Sequence, residues 1–452
     1  MNWPGSCTVH NDTSHLQPGQ GDPGLKLKLR PCSIPRFDGV ARRRCLSTGV
    51  NFYQNRQLEL YASKEAKRLT LRQLVFFGRS MDEDRLIKSA NYVRTELPVR
   101  LAHRIRDLQA LPYIVVTQEG VARVYELYWL AFERFRKYPP ITNLLENEEY
   151  CDFLREVLQE HASVIPNLSL GLSLSSPYLP PDQLDSFMRR MLISRVSRRV
   201  LAEHHLALSD VYSGRTKEAT GEPHVGIIFT GLDVKRSIEK CSRLLRERPF
   251  GFEDDIDTPD PHNRKWPEVV IEGHLDTKFS YIKEHLEYII LELLKNSMRA
   301  TALKYIDSPE FPPILATVVG GDKHVGIRIS DQGGGLLTPQ NLIKFPSDLF
   351  SFSHIRNAGR MEDARIGALR SASSNPSGVW ATVGEQVGRW STTRGSLPAS
   401  GTQSRIGIGL PMSNIYATYF GGTLELVSLD GWGTDAYVRL PRLGTNLEGI
   451  EV

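Results

Sequence analysis

The sequence has little of several features that would mark a specialised class of protein. No apolar run approaches the roughly 18 residues that a membrane helix needs, so we expect no transmembrane segment. The five cysteines show neither pairing nor metal-ligand spacing, which favours a reducing compartment over a disulfide framework. The net charge of +4 is small and dispersed, so it does not predict nucleic-acid binding. A chain of 452 residues is long enough for two or three domains.

The first 50 residues are basic. They hold seven Lys or Arg and three acidic residues, and the run at 42–48 has three Arg, one Ser, one Thr and no acidic residue. This composition resembles the end of a mitochondrial presequence and predicts the mitochondrial matrix as the location. A disordered N-terminus or a misplaced start codon would give the same composition. Residues 1–50 are therefore left out of the prediction of the fold.

Residues 51–222 are predicted to be helical. Apolar and aromatic side chains recur at helical spacing in four stretches, with no strand pattern between them. One helix is expected to open at Tyr92 and to carry Pro98 near its first turn, where a missing amide costs little. Four amphipathic helices of this kind predict a four-helix bundle.

Residues 223–443 are predicted to form a second domain, with 444–452 as a tail. The expected elements are, in order, a strand at 225–229, a helix at 235–246, a helix at 279–305, a hairpin over 312–330, a helix at 411–420, and strands at 423–428 and 435–440. Helices covering one mixed sheet would make an α/β sandwich. The predicted fold class is therefore a two-domain α+β protein.

Four short segments in the last third of the chain carry the chemistry, and no P-loop accompanies them. They are ELLKN at 292–296, DQGGG at 331–335, GIGL at 407–410 and GWGT at 431–434. Each alone is a weak signal. Together they supply a carboxylate and an amide on one helix, an aspartate at a strand end, and glycine turns that admit phosphates. The set indicates an ATP-dependent phosphotransferase or ATPase of the Bergerat type.

The helical segment offers a base and a metal ligand. Glu292 and Asn296 are four residues apart and share one helix face, with Lys295 and Arg299 beside them. An amide oxygen suits Mg²⁺, and a carboxylate can polarise a hydroxyl aimed at the γ-phosphate. A solvated helix face would show the same residues, so this segment alone does not decide.

The glycine-rich segments offer an adenine site and a phosphate site. Asp331 can accept a hydrogen bond from an adenine amino group, although an Asx turn is the alternative interpretation. Residues 407–410 enter a helix whose amides and dipole favour phosphate. The turn before Thr434 also fits a plain hairpin.

These segments look like the nucleotide-binding boxes of the GHKL superfamily. More closely, the chain resembles the mitochondrial 2-oxoacid dehydrogenase kinases, which comprise the pyruvate and the branched-chain dehydrogenase kinases. The likeness extends to TELPVRLA at 95–102, LISRVSRR at 192–199 and HHLAL at 204–208. It runs from about residue 58 to residue 443, so it covers both predicted domains.

The resemblance implies ATP as substrate and Mg²⁺ as cofactor. It implies that Glu292 is the general base, with Lys295 beside it at the catalytic centre, and that Asn296 binds Mg²⁺. The residues implied in ATP binding are Asn296, Arg299, Asp331, Gly333, Gly335, Arg405, Ile406, Gly407, Ile408, Gly409, Leu410 and Thr434. Arg405 departs from the family, where relatives often have a glycine, and the predicted ATP lid before it is longer than usual.

Arg195 and Arg199 are four residues apart, hence on one helical face. Such a pair is most often just solvated. In the related kinases, however, matching arginines lie in a pocket where small 2-oxo acids inhibit, and His161 matches a member of that pocket. The resemblance therefore implies a regulatory site in the bundle, and guanidinium groups suit bidentate carboxylate binding.

The resemblance also implies partners. These are the decarboxylase component of a 2-oxoacid dehydrogenase complex as substrate, its lipoyl-bearing acyltransferase core as anchor, and a second copy of the chain in a homodimer. Tyr288, one turn before Glu292, resembles the branched-chain kinases, whereas pyruvate dehydrogenase kinases usually have a histidine there. The terminal Asp-Trp motif of the latter is not seen. The choice between the two complexes stays open.

Other GHKL classes are the alternatives. A histidine protein kinase needs an acidic residue after its acceptor histidine, but Leu206 and Ala207 follow His204 and His205. A chaperone or mismatch-repair type ATPase would need a further transducer domain, and only a short segment follows the last predicted strand. A catalytically dead scaffold is disfavoured because Glu292 and the polar residues around it are present.

Overall fold

The computed structural model begins with helices and continues with mixed helices and strands. It describes residues 55–175, 177–215, 222–247, 266–308, 310–336, 349–352, 408–443 and 446–450. Within these residues the first strand starts at His224. The predicted order, a helical region followed by an α/β region, is confirmed.

The helical region contains eight described α-helices. They are α1 (Arg56–Ala62), α2 (Leu71–Gly78), α3 (Glu83–Gln109), α4 (Tyr113–Val116), α5 (Glu119–Lys137), α6 (Leu144–Glu160), α7 (Val164–Ser175) and α8 (Pro181–Tyr212). A short 3₁₀ turn, His161–Ser163, joins α6 to α7. The long helices α3, α5, α6 and α8 pack around a shared apolar core, as expected for a bundle.

Helix α3 corrects one prediction. It begins after Asp82, whose Oδ1 accepts a 2.8 Å hydrogen bond from the Arg85 amide, and acidic residues fill its first turn. Pro98 therefore lies inside the helix and not near its start. The Asp-Glu-Asp run was a stronger start signal than the proline.

Helix α7 was not predicted, and it packs closely on α5 through glycines. A Cβ built on Gly120 would lie 1.9 Å from the Asn167 carbonyl oxygen, and one built on Gly171 would lie 2.6 Å from Val121. Only glycine permits this approach of the two backbones. Almost every residue of α7 is buried, so the sequence has no polar face to reveal an amphipathic helix.

The α/β region contains two sheets where the sequence predicted one. Its elements are β1 (His224–Val225), β2 (Ile228–Asp233), α9 (Val234–Glu247), β3 (Val269–Gly273), β4 (Lys278–Ile282), α10 (Lys283–Lys304), β5 (Ile314–Gly320), β6 (His324–Ser330), α11 (Gly409–Thr418), β7 (Thr423–Leu429) and β8 (Gly433–Pro441). A small sheet has the order β1-β2-β4, and a five-stranded sheet has the order β3-β5-β6-β8-β7. The five-stranded sheet is mixed, because β3 runs parallel to β5 while its other pairs are antiparallel.

Two element boundaries differ from the prediction for the same reason. The strand expected at 225–229 is a tight hairpin, β1 and β2, turning at Gly226 with φ +57°. The helix expected from residue 279 begins at Lys283, because 278–282 form β4. In both places apolar residues recur across the change of structure at a spacing that fits a single element, so the pattern alone does not show the break.

Helix α10 lies in the helical layer between α9 and α11. Its predicted buried stripe is confirmed, since all six side chains are nearly inaccessible to solvent: Leu286, Ile289, Ile290, Leu293, Leu294 and Met298. In the part of the chain that the structure describes, no helix is long and apolar enough to cross a membrane.

Candidate functional site

The polar face of α10 holds the first group of predicted residues. Glu292 is buried, with 4% of its surface exposed, and the Lys295 Nζ lies 2.5 Å from its Oε1. Asn296 is exposed on the same helix, and Arg299 is partly buried one turn further on. A buried carboxylate paired with a lysine is therefore held in place next to an accessible amide.

The start of α11 reaches this carboxylate. A Cβ built on Gly409 would lie 2.1 Å from the Glu292 Oε2, so any other residue there would displace the carboxylate. Ile408 is the N-cap residue of α11, and no side chain caps the helix. Pro411, in the first turn, has no amide hydrogen to offer. The Gly409 and Leu410 amides at the helix N-terminus are thus the groups next to Glu292 that suit an anion.

Asp331 lies at the end of β6 and is held by three hydrogen bonds. The Ser297 hydroxyl donates to its Oδ2 at 2.9 Å. The amides of Gly333 and Thr434 donate to its Oδ1 at 2.9 and 3.2 Å. The Asp331 amide in turn donates to the Thr434 carbonyl at 3.0 Å. The carboxylate is 7% exposed, so its position is fixed by groups from α10, its own turn and β8.

The two glycine turns next to Asp331 pair with one another. The Gly334 amide donates to the Trp432 carbonyl at 3.0 Å, and the Gly431 amide donates to the Gly334 carbonyl at 2.9 Å. Gly334, Gly335 and Gly431 have φ values of +95°, +84° and +80°. Residues other than glycine rarely adopt this conformation, which explains the glycines of both segments.

Gly333 is needed for a different reason. A Cβ built there would lie 2.5 Å from the Ala300 Cβ on α10. The Lys304 Nζ also bonds from α10 to the carbonyl oxygens of Gly431 and Trp432, at 2.9 and 3.1 Å. Helix α10 therefore contacts both glycine turns and carries Glu292, so it joins the two ends of the candidate site.

Most residues predicted for this site lie in the described chain. Glu292, Lys295 and Gly409 meet near the middle of α10, while Asp331, Gly333 and Thr434 meet nearer its C-terminus. Arg405, Ile406 and Gly407 lie outside the described residues, as does the predicted ATP lid before them. The individual roles of these residues stay predictions.

The second predicted site is a small cavity in the bundle. Its volume is about 30 Å³. The residues that line it are Leu97, Leu101, Tyr128, Phe135, Leu154, Val157, Leu158, His161, Val164, Arg195, Arg198, Arg199 and Ala202. All three predicted regulatory residues, His161, Arg195 and Arg199, are among them.

Charge and burial set the character of this bundle cavity. Arg199 forms an ion pair with Glu203 on α8. Arg198 donates to the Tyr128 hydroxyl at 2.7 Å and stacks over the same ring. Burial, reinforced by Arg198, lowers the pKa of His161 to about 3, and its Nε2–H donates to the Leu127 carbonyl at 3.3 Å. The histidine is therefore neutral at physiological pH, beside arginines that are charged.

Three residues of the two candidate sites were not predicted from the sequence. Ser297 holds Asp331, and Arg198 and Tyr128 complete the bundle cavity. Ser297 lies inside the ELLKNSMRAT segment, which was its only signal. Arg198 was hidden among neighbouring arginines, and Tyr128 belonged to an aromatic stripe that looked like core.

Comparison with known proteins gives a consistent result. Residues 68–229 match the profile of a family described as mitochondrial branched-chain alpha-ketoacid dehydrogenase kinase. Pyruvate dehydrogenase (acetyl-transferring) kinase 2, mitochondrial, of Saccharomyces cerevisiae is 29% identical over 89% of this chain and 87% of its own length. The mitochondrial pyruvate dehydrogenase kinase of Arabidopsis thaliana is 29% identical over 84% and 92%. Human isozyme 4 is 29% identical over 88% and 86%.

Proposed function

Because the chain belongs to the mitochondrial 2-oxoacid dehydrogenase kinase family, we propose that it transfers the γ-phosphoryl group of ATP to a serine of the decarboxylase component of a 2-oxoacid dehydrogenase complex. The phosphorylated component would be inactivated, and the reaction would take place in the mitochondrial matrix. The observation that supports this function best is the meeting of Glu292 with Gly409 at the start of α11. It puts a buried carboxylate beside the part of the site that suits phosphate.

The proposed chemistry at the phosphate part of the site uses side chains of α10 and amides at the start of α11. Glu292 accepts the proton of the serine hydroxyl as the serine oxygen bonds to the γ-phosphorus and the bond to the β–γ bridging oxygen breaks. Lys295 orients the Glu292 carboxylate through its 2.5 Å contact. The amides of Gly409 and Leu410 hold phosphate oxygens, and Arg299 adds positive charge on the same helix.

The adenine end would be held by Asp331. Its two oxygens accept from Ser297, Gly333 and Thr434, which fixes the carboxylate but leaves it acceptor capacity for an adenine amino group. Gly333 lets the turn lie against Ala300 of α10, and Gly335 lets it lie against Leu429 of β7. Thr434 lines the same pocket through its backbone contacts with Asp331.

Mg²⁺ fits the polar face of α10. Asn296 is exposed one turn beyond Glu292, so its amide oxygen is accessible to a metal ion. We infer that the Asn296 amide oxygen is the protein ligand and that phosphate oxygens supply others. Bound Mg²⁺ would neutralise part of the charge on the phosphate oxygens.

Pyruvate dehydrogenase is the first substrate to test, because the three relatives above are pyruvate dehydrogenase kinases. The branched-chain complex is second, and Tyr288 favours it by resemblance. Tyr288 is buried, with its ring edge-on to Tyr416 at 5.3 Å, so it can shape the environment of Glu292 one turn away. The resemblance further supports binding to the lipoyl-bearing acyltransferase core and a homodimer. The small net charge gives no support to a nucleic-acid partner.

The test is phosphotransfer to each purified complex. The wild-type chain is incubated with γ-labelled ATP, Mg²⁺ and either the pyruvate or the branched-chain decarboxylase, with and without the acyltransferase core. We expect label on serine of one decarboxylase and faster transfer with the core present. With Glu292→Gln we expect transfer to be roughly 10²- to 10⁴-fold slower. No label on either substrate, or equal label with Glu292→Gln, would contradict the proposal.

The bundle cavity is proposed as the site where small 2-oxo acids inhibit. Its walls supply Arg195, Arg198 and Arg199, and guanidinium groups bind carboxylates in a bidentate way. Since one water needs about 10–15 Å³ measured in this way, a volume of about 30 Å³ holds about two waters and no 2-oxo acid. Binding therefore requires the cavity to open, and we infer that the partly exposed Arg199 leaves Glu203 when it does.

A further inference from the structure

The segment 446–450 joins the helical region to α11. Thr70 and Leu447 form a β-bridge, and the Glu448 amide donates to the Leu69 carbonyl at 2.9 Å. The Leu69 amide donates back to the Glu448 Oε1 at 3.0 Å. The segment that the sequence left as a tail is thus paired with the backbone before α2.

The carboxylate of Glu448 is buried at the centre of a charged cluster. Its side chain has no exposed surface, and its Oε2 accepts 2.9 Å hydrogen bonds from Arg100 Nη1 and from the Tyr419 hydroxyl. Arg100, on α3, also contacts Glu96 at 3.3 Å and the Lys67 carbonyl at 2.7 Å. A buried ion pair is a poor way to add stability, so its cost suggests that the geometry serves another purpose.

Tyr419 connects this cluster to the nucleotide site. It is the C-cap residue of α11, and its carbonyl accepts a 2.8 Å hydrogen bond from the Gly449 amide. Asn446 bonds to the next carbonyl, that of Phe420, at 3.2 Å. The other end of α11 is Gly409, which abuts Glu292. A ten-residue helix is a rigid rod of about 15 Å, so fixing one end fixes the other.

We propose that Glu448 is a positioning residue for the phosphate end of the nucleotide site. Through Tyr419 it sets the place of α11 against α3, and so the place of the Gly409 and Leu410 amides beside Glu292. The adenine end does not depend on it, because Asp331 is held by α10 and β8. The inference rests on the proposed function of the site, since it concerns where the phosphates of ATP bind.

The alternative is that Glu448 only stabilises the fold. Two variants separate the alternatives, because each weakens one hydrogen bond of the same buried cluster. Tyr419→Phe removes the hydroxyl that ties Glu448 to α11 and leaves the Arg100 pair in place. Glu96→Gln weakens the contact of Arg100 within α3 and leaves the tie to α11 in place.

The experiment measures two affinities for each chain. A non-hydrolysable ATP analogue with Mg²⁺ is titrated by calorimetry, and adenosine is measured by competition against a fluorescent ATP analogue. For Tyr419→Phe we expect the affinity for the ATP analogue to fall about tenfold while that for adenosine stays within twofold. For Glu96→Gln both affinities should stay within twofold. Its melting temperature should nevertheless fall by about as much as that of Tyr419→Phe.

A loss of affinity for the ATP analogue alone is the decisive result, because general destabilisation would weaken the binding of both ligands alike. An unchanged ratio of the two affinities in Tyr419→Phe, or the same change in Glu96→Gln, would overturn the positioning role. Failure of the wild-type chain to bind the ATP analogue would instead overturn the proposed function. If Tyr419→Phe proves unstable, Glu448→Gln with hydrogen exchange of α11 gives a second test. Faster exchange over Gly409–Thr418 is expected, and unchanged exchange there contradicts the proposal.

Discussion

The candidate nucleotide site and the bundle cavity place charge in opposite ways. At the nucleotide site, Glu292 and Asp331 are buried acids held by Lys295, by a serine hydroxyl and by backbone amides. Among the described residues, the walls of the bundle cavity contain three arginines, one neutral histidine and no carboxylate. The first arrangement suits a fixed base and an adenine acceptor, and the second suits a small anion.

The two sites also differ in what holds them. Backbone amides and glycine turns fix the nucleotide site, so its geometry follows from the path of the chain. The bundle cavity is formed by side chains from α3, α5, α6, α7, α8 and the 3₁₀ turn before α7. Such a site can change shape when a side chain moves, which is what a regulatory site of this size needs. The predictions below test whether one site does chemistry and the other regulates.

The largest effect is expected at the base. Glu292→Gln keeps the shape of the side chain but cannot accept the serine proton, so kcat should fall roughly 10²- to 10⁴-fold. The Kd for ATP should change little, because Glu292 lies against Gly409 but supplies neither a positive charge nor an amide to the phosphates. Rapid-quench phosphotransfer and equilibrium nucleotide binding would measure the two quantities.

A matched control lies on the same helix. Glu287 is also buried on α10 and paired with a lysine, since the Lys240 Nζ contacts its Oε2 at 2.7 Å. Glu287→Gln should lower stability without a comparable loss of kcat. Equal losses of kcat in the two variants would mean that Glu292 is a structural residue.

The next effect concerns adenine binding. Asp331→Ala removes the acceptor of an adenine amino group and also leaves the donors of Ser297, Gly333 and Thr434 without it. An unpaired buried polar group costs about 1–3 kcal/mol, so the Kd for ATP should rise roughly 5- to 150-fold. Calorimetric titration with an ATP analogue measures this, and kcat at saturating ATP should fall less.

Ser297→Ala is the control for that experiment, because it removes one contact of Asp331 and keeps the carboxylate. Its effect on ATP affinity should be well below that of Asp331→Ala. If the two variants lose affinity equally, then Asp331 acts through its position in the turn and not through adenine.

The sequence predicted the framework of the fold but not all of its parts. The order of helical and α/β regions and the buried stripe of α10 followed from apolar spacing, which reports burial directly. Helix α7 was missed because it is apolar on all sides. Strand β4 was merged with α10, because Phe279 and Ile282 continue the helical spacing of Leu286 in the sequence.

The nucleotide site was easier to predict than the bundle cavity for a physical reason. Positive φ angles and close backbone contacts demand glycine, so Gly334, Gly409 and Gly431 leave a mark in the sequence. Arginine occurs both on surfaces and in cavities, so the identity of Arg195 and Arg199 did not predict a site. Their placement in one cavity came from resemblance to related kinases, and Arg198 was visible only once α8 was packed against Tyr128.

A third prediction concerns inhibition. The inhibitor is pyruvate or a branched-chain 2-oxo acid. Arg195→Ala should raise its half-inhibitory concentration about tenfold. A tenfold change corresponds to the lower end of the free energy that a hydrogen bond to a charged group contributes. We expect the lower end because Arg198 and Arg199 still line the cavity in this variant. Activity without inhibitor should stay within twofold, and inhibition of the wild type should not be competitive with ATP.

Arg134 supplies the control for inhibition. It lies near His161 but outside the lining of the bundle cavity, in ion pairs with Glu156 and Glu160. Arg134→Ala should leave inhibition as in the wild type. Competition between the 2-oxo acid and ATP, or full inhibition of Arg195→Ala, would place the regulatory site elsewhere.

The smallest effect is a pH dependence that originates in the bundle cavity. Burial lowers the pKa of His161 to about 3, while the unfolded chain titrates near 6.5. As the pH falls through about 6.5, the unfolded state therefore binds a proton that the folded state does not, so the contribution of His161 lowers the free energy of unfolding. Between pH 7 and pH 6 this histidine should cost about 0.7 kcal/mol, which is roughly threefold in the unfolding equilibrium.

A variant that cannot titrate isolates this contribution of His161. His161→Gln keeps a donor for the Leu127 carbonyl. Urea unfolding gives the free energy of unfolding at pH 7 and at pH 6, and the difference between the two should be about 0.7 kcal/mol smaller in the variant than in the wild type. Since His204, His205 and His285 also have lowered pKa values in both chains, their contributions cancel in the comparison. Identical pH dependence in the two chains would mean that the pKa of His161 is the same in the folded and unfolded states, and that burial in the cavity does not lower it.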